Sequence, residues 1–176
     1  MENIISYENK HPKIDENVYI NPYAIVIGEV IIHSGVSLWP GVIVRAGDEQ
    51  IEIGENTAIL DRSLIEAPPG FPTRIGSDVL VSHGVKLLGC TIEKGVLIGI
   101  SANVLEGAVI GEESVIAAGA MVPQNALIPP RAKVVGLPGV VTGKVTDQEI
   151  YAIQEKRANI KEKAREYGKW FVVKNI

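Results

Sequence analysis

Aromatic side chains are scarce in this chain, at 5% of residues, although 46% are hydrophobic. A core of large rings is therefore excluded. Val, Ile and Ala must supply the packing, a bias that suits strands built from small side chains. Cysteine is nearly absent: Cys90 stands alone, so no disulfide framework exists within the chain. A reduced, cytoplasmic setting is expected. Excess positive charge is missing too. With a formal net charge of −4, neither nucleic acid nor an anionic membrane surface is expected as a partner. No apolar run reaches membrane-spanning length. Met1 to Lys10 is interrupted by Glu2, Glu8 and Lys10 and lacks the apolar core of a secretory signal.

What the chain has is turns and a repeat. Eighteen Gly and ten Pro mark many turns. From Ile14, every sixth residue is aliphatic: Ile20, Val26, Ile32, Leu38, Val44. Four residues after each comes a small or β-branched one: Val18, Ala24, Val30, Val36, Val42. The phase slips by three residues through Ala46 to Gln50 and resumes at Ile53, Ile59 and Ile65. It breaks again over Glu66 to Arg74, returns at Ile75, Val81 and Leu87, and slips by one. It then runs from Ile92 through Ile98, Val104, Ile110, Ile116, Val122 and Ile128 to Val134.

A half-buried strand alternates with period two and a surface helix with 3.6, so period six is neither. One large aliphatic and one small residue per hexad fit a three-sided prism of short strands and turns. The aliphatic points to the axis and the small residue sits near a corner. Eighteen residues then make one coil, and the twenty hexads about seven coils. Gly28, Gly54, Gly76, Gly99 and Gly111 follow axial residues, where positive-φ turns would favour glycine. After the repeat, Thr146-Asp147-Gln148-Glu149 forms a capping box. Ile150, Ile153, Ile160, Ala164 and Tyr167 share one helical face, and Gly168 offers a stop. Lys156, Arg157, Lys161, Lys163 and Arg165 are expected on the solvated side.

Particular segments go further than the repeat. Ile27-Gly28-Glu29-Val30, Leu38-Trp39-Pro40-Gly41-Val42-Ile43-Val44-Arg45, Ser82-His83-Gly84-Val85, Leu88-Gly89-Cys90-Thr91-Ile92 and Val134-Val135-Gly136-Leu137-Pro138 resemble the gamma-class carbonic anhydrase family of hexapeptide-repeat proteins. The resemblance implies a left-handed parallel β-helix that assembles as a homotrimer. It also implies a zinc or iron site of three histidines between subunits. A metal on three neutral imidazoles keeps an open position and lowers the pKa of bound water.

Residue by residue, the resemblance keeps only part of that site. The first family histidine falls on Glu66, the second on His83 and the third on Leu88. The glutamine that positions water falls on Leu60. The family's Arg-Gly-Asp becomes Arg45-Ala46-Gly47-Asp48, which displaces the aspartate by one residue. One imidazole holds no metal usefully. His83 is therefore expected either as a surviving ligand or as an interface hydrogen-bonding group. Glu66, with Asp48, is the candidate for a rebuilt metal or catalytic site, since His and carboxylate mixtures do bind metals. Arg45 and Asp61 are expected to form an ion pair between coils or across an interface. Leu60 and Leu88 argue for a drier pocket. Cys90 is expected as a buried thiol with no histidine near it in sequence. His33 is expected in an exposed turn, and His11 matches no ligand.

These residues imply a lead-in over 1–13, a left-handed β-helix over 14–140 with a loop at 66–74, and a linker, helix (about 146–167) and tail over 141–176. They point to a gamma carbonic anhydrase-like homotrimer, a scaffold subunit with protein partners among its roles, with a degenerate metal site and weak or no carbon dioxide hydration. Zinc, iron or no metal remain open. The alternatives are a metal-dependent enzyme with a rebuilt Glu66/His83 site and an acyltransferase dependent on coenzyme A. The loop lacks the histidine base that acyltransferases extend into a cleft.

Overall fold

A computed structural model of the chain describes residues 3–170. It is a parallel β-solenoid of about seven turns closed by one C-terminal helix. Strands two or three residues long pair with strands one coil away: Leu97↔Val115, Thr91↔Val109, Asn103↔Met121. Three faces result. Face one holds Ile43–Ala46, Leu64–Glu66, Lys86–Leu88, Asn103–Val104 and Met121–Val122. Face two holds Ile51–Ile53, Thr73–Ile75, Thr91–Ile92, Val109–Ile110 and Leu127–Ile128. Face three runs from Tyr19–Ile20 to Ala132–Val135, ending in an antiparallel strand, Val140–Lys144. Faces one and two are joined where the long strands Ile25–Ile32 and Ile43–Ile53 bend through a shared corner.

The hexad register predicts the axis. From Val26 to Val134 every sixth-residue aliphatic is buried, most at 0% exposure. Ile14 and Ile20, on the first coil, are half-buried because less chain lies above them. The small second register fills the corners, with Ala24, Val36, Ala102, Ala108 and Ala120 buried. Thr57, Ser63 and Ser114 occupy the same register. Each buried hydroxyl donates to a carbonyl, of Gly76, Ser82 and Pro129 respectively, as burial of a polar group requires. The three-residue slip at Ala46 to Gln50 bulges at the bent corner, where the pairing register shifts between Gly28 and Val30.

Most of the glycines after axial residues have a different cause from the one the sequence suggests. Gly28 has the positive φ expected of it, but none of Gly54, Gly76, Gly99 and Gly111 does. They are small because the next coil presses on them: a Cβ on Gly99 would stand 2.5 Å from the Ala118 nitrogen. Left-handed backbone falls instead on the true corners. There Gly41, Gly95 and Gly119 alternate with Asn56, Arg62, Asp78, Ser101 and Glu113.

Ahead of Ile14, Ile4–Ile5 already pairs with Val26 and Ile27, so the lead-in contributes a strand. The helix spans Asp147–Trp170 and so passes Gly168 instead of ending there. Tyr167 stacks edge-on to Trp39 at 5.4 Å, and Gly168 lies over Tyr19, so docking sustains the helix past its weak residue. The capping box forms as expected: Glu149 N–H donates to Thr146 Oγ1 (3.3 Å) and Thr146 N–H to Glu149 Oε2 (2.9 Å). The basic side is not wholly solvated. Arg157 turns inward and donates to the Asp78 carbonyl, and Lys161 Nζ donates to Asn56 Oδ1 at 2.6 Å. Both cations replace the unmet polar groups of corner turns with charge-assisted bonds. The tail beyond residue 170 lies outside the described residues.

Candidate functional site

The strand register sets the site residues on face one. Arg45 pairs in register with Glu66, and Glu66 with Leu88, on three successive coils. Successive residues of a strand point to opposite faces, so Val44, Ile65 and Leu87 enter the axis while Arg45, Glu66 and Leu88 point outward together. The Arg45 guanidinium donates to the Glu66 carboxylate. Arg45 is more than half exposed and Glu66 about a quarter.

Asp61 and His83 lie one coil apart on the corner leading into face one. His83 Nδ1 donates to Asp61 Oδ2 at 3.0 Å. That bond fixes the tautomer and leaves Nε2 as the outward nitrogen, on a side chain 54% exposed. Within one chain, then, Arg45 and Asp61 take separate partners, Glu66 and His83, instead of each other. The period could have supplied this pairing. A coil of 18 residues plus the three-residue slip puts Glu66 21 positions after Arg45, and the loop lengthens the next coil so that His83 follows Asp61 by 22.

The remaining candidates scatter. Asp48 is exposed in the corner bulge, where its backbone carbonyl accepts from Lys10 Nζ. Leu60 is buried within the main core. Leu88 is half-buried beside Glu66. Cys90 is 1% exposed, and burial pushes its thiol up to about 12, so it is no nucleophile. His11 bonds Ser6 Oγ at 2.6 Å. The loop after Glu66 folds down onto the face-one/face-two corner. A Cβ on Gly89 would lie 2.5 Å from Phe71 Cβ, and one on Gly107 would lie 3.3 Å from the Phe71 ring. Gly70 N–H donates to Glu49, tying loop to bulge. The loop is a docked ledge bordering Glu66.

A cleft of about 330 Å³ lies elsewhere, between the helix and the corner that carries Asp78, Lys94 and Glu113. No ring of donors converges there or on face one: among the described residues no three His, Cys, Asp or Glu side chains of one chain could hold a metal. No described helix is long and apolar enough to cross a membrane.

Comparison with known proteins places this geometry. The hexapeptide family described as "Bacterial transferase hexapeptide (six repeats)" matches residues 11–46 and 89–124. The mitochondrial gamma carbonic anhydrase 2 of Arabidopsis thaliana is 35% identical over 157 residues, 86% of this chain, which spans only 56% of that longer protein. The protein named "Probable carbonic anhydrase" in Methanocaldococcus jannaschii is 40% identical over 142 residues, covering 81% of this chain and 89% of its own length. A hexapeptide transferase family protein from Anaplasma phagocytophilum has a similar structure, with a TM-score of 0.90 and 28% identity over 95% of this chain and 99% of its own. On the hexad solenoid, its terminal helix and these identities, the chain belongs to the gamma carbonic anhydrase family of hexapeptide-repeat proteins.

Proposed function

We propose that the chain is a gamma carbonic anhydrase-like homotrimer whose inherited metal site is degenerate, with weak or no carbon dioxide hydration. One observation carries this reading. Glu66 stands where the family's first histidine would, and the Arg45 guanidinium occupies its carboxylate. Gammas of this family depend on a metal held by three imidazoles. Here the donor set does not fit: His83 is one imidazole, Glu66 is already neutralised by a cation, and Leu88 offers no lone pair. A site shared between subunits draws on each inherited position once, so Glu66 and His83, two ligands of mixed type, are the most those positions supply. Leu60, where the family orients water, is packed in the core.

The trimer rests on face one and on the family. Outward on that face lie Ile25, Ile43, Leu64, Leu88 and Met121, half-buried or exposed. Face three is overlaid by the helix, and face one offers this run of apolar side chains to a second copy. A second reading, acyl transfer from coenzyme A, is favoured by one feature, the His83 imidazole held by Asp61 with Nε2 outward, as a general base requires.

Three measurements test these readings. Protein purified without chelators should carry no stoichiometric zinc or iron and should hydrate carbon dioxide little above background. Stoichiometric metal with appreciable turnover would refute the degenerate site. Turnover of acetyl coenzyme A that His83→Asn abolishes would move the assignment to acyl transfer.

A further inference from the structure

Two carboxylates and one imidazole stack at the corner beyond face two. His33 Nδ1 lies 3.3 Å from Asp15 Oδ2 on the coil above, and His33 Nε2 lies 2.9 Å from Glu52 Oε1 on the coil below. Ionised carboxylates only accept hydrogen bonds. A neutral imidazole has one N–H and one lone pair, so it can satisfy one of these partners and must turn its lone pair on the other. Both contacts are hydrogen bonds only when the ring carries two protons.

We propose that His33 is the imidazolium centre of a pH-dependent staple that fastens the first three coils and anchors the strand carrying Arg45. Ile43–Ile53 holds Arg45 near one end and Glu52 near the other. Loosening Glu52 therefore acts on the same strand that grips Glu66. Other charges face this corner. Lys13 lies in register with Ile31, and Glu16 and Glu55 sit on the flanking turns. Arg74 pairs in register with Glu52 from below. The charges that act on the ring itself are those of Glu52 and Asp15. The Glu52 hydrogen bond raises the pKa of His33 above the usual histidine value; burial opposes it, and the Asp15 hydrogen bond adds to the rise.

A group whose folded pKa lies above its unfolded value adds stability that is complete below the unfolded value, about 6.5, and is lost as pH rises through the folded one. The staple is thus fastened in mild acid and released toward alkaline pH.

Ring-resolved NMR titration of the full chain reads the charge directly. His33 should titrate above the ordinary histidine midpoint, and Glu52→Gln should move it down. A His33 midpoint at or below the ordinary value overturns the proposal. Urea unfolding of the native chain and His33→Gln across pH 5 to 9 gives the second reading. The difference between their midpoints should shrink as pH rises, and amide protection at Tyr19–Ile20 and Ile31–Ile32, taken relative to the intrinsic exchange rate at each pH, should fall in the native chain over the same interval. A difference that stays constant with pH also overturns it. If His33→Gln fails to fold, the NMR titration of the native chain and of Glu52→Gln still decides.

Discussion

At the scale of single residues, identity matters most where coils touch. Gly99→Ala pushes a methyl into the Ala118 backbone, which cannot move without shifting a coil. It should destabilise by about 1–3 kcal/mol in urea unfolding. Gly47→Ala is the control: nothing lies within 4 Å of its added carbon, so a change within about 0.5 kcal/mol is expected. On face one, Glu66→His with Leu88→His restores three imidazoles per shared site and should recover zinc binding, measured by metal content after dialysis. Failure would mean that the interface itself has moved. Arg45→Met alone should alter stability by no more than about 1 kcal/mol, because the Arg45 side chain is more than half exposed. The axial residues were legible in the sequence because one residue type repeats at one period. The pairings of Arg45 with Glu66 and of His33 with two carboxylates were legible only after adding coil length to position, a step that the residue types do not announce.

Among the elements, the helix depends on its ends and on two inward cations. Thr146→Ala removes the oxygen that accepts the Glu149 N–H and should cost about 1 kcal/mol. Arg157→Met leaves the Asp78 carbonyl without that donor and should weaken helix docking by about 1–3 kcal/mol, seen as earlier loss of helical circular dichroism in urea. Lys133, and then Thr146, hold the Glu149 carboxyl down at about 2. A depressed carboxylate contributes above its unfolded value and loses that contribution as pH falls through the folded one. Helix docking should therefore weaken between about pH 4.3 and pH 2. The helix itself was legible from its capping box and apolar stripe. Its inward arginine was not, because Arg157 meets a residue 79 positions away and a basic residue in an amphipathic stretch ordinarily faces water.

For the whole molecule, the informative contrast is between an axis that is filled from Val26 to Val134 and an outer face that is apolar in places. Sedimentation should show a trimer. Ile43→Arg combined with Leu64→Arg should shift it toward monomer while leaving the fold's circular dichroism intact, since neither side chain enters the axis. A persistent trimer would direct attention to another face.

The terminal helix has a further role as a measuring rod. Arg157 marks the Asp78 corner, Lys161 the Asn56 corner one coil earlier, and Tyr167 the Trp39 coil before that. Coils are spaced by about 4.8 Å and a helix rises about 1.5 Å per residue, so a coil needs at least about three helical residues; here successive coils are met by residues four and six positions apart. Removing one 18-residue coil would keep every hexad in phase. It would also slide all three helix contacts off their marks, unless about one helical turn were removed with it. Helix length and coil number are therefore set jointly, and the solenoid can grow or shrink only if its ruler is recut.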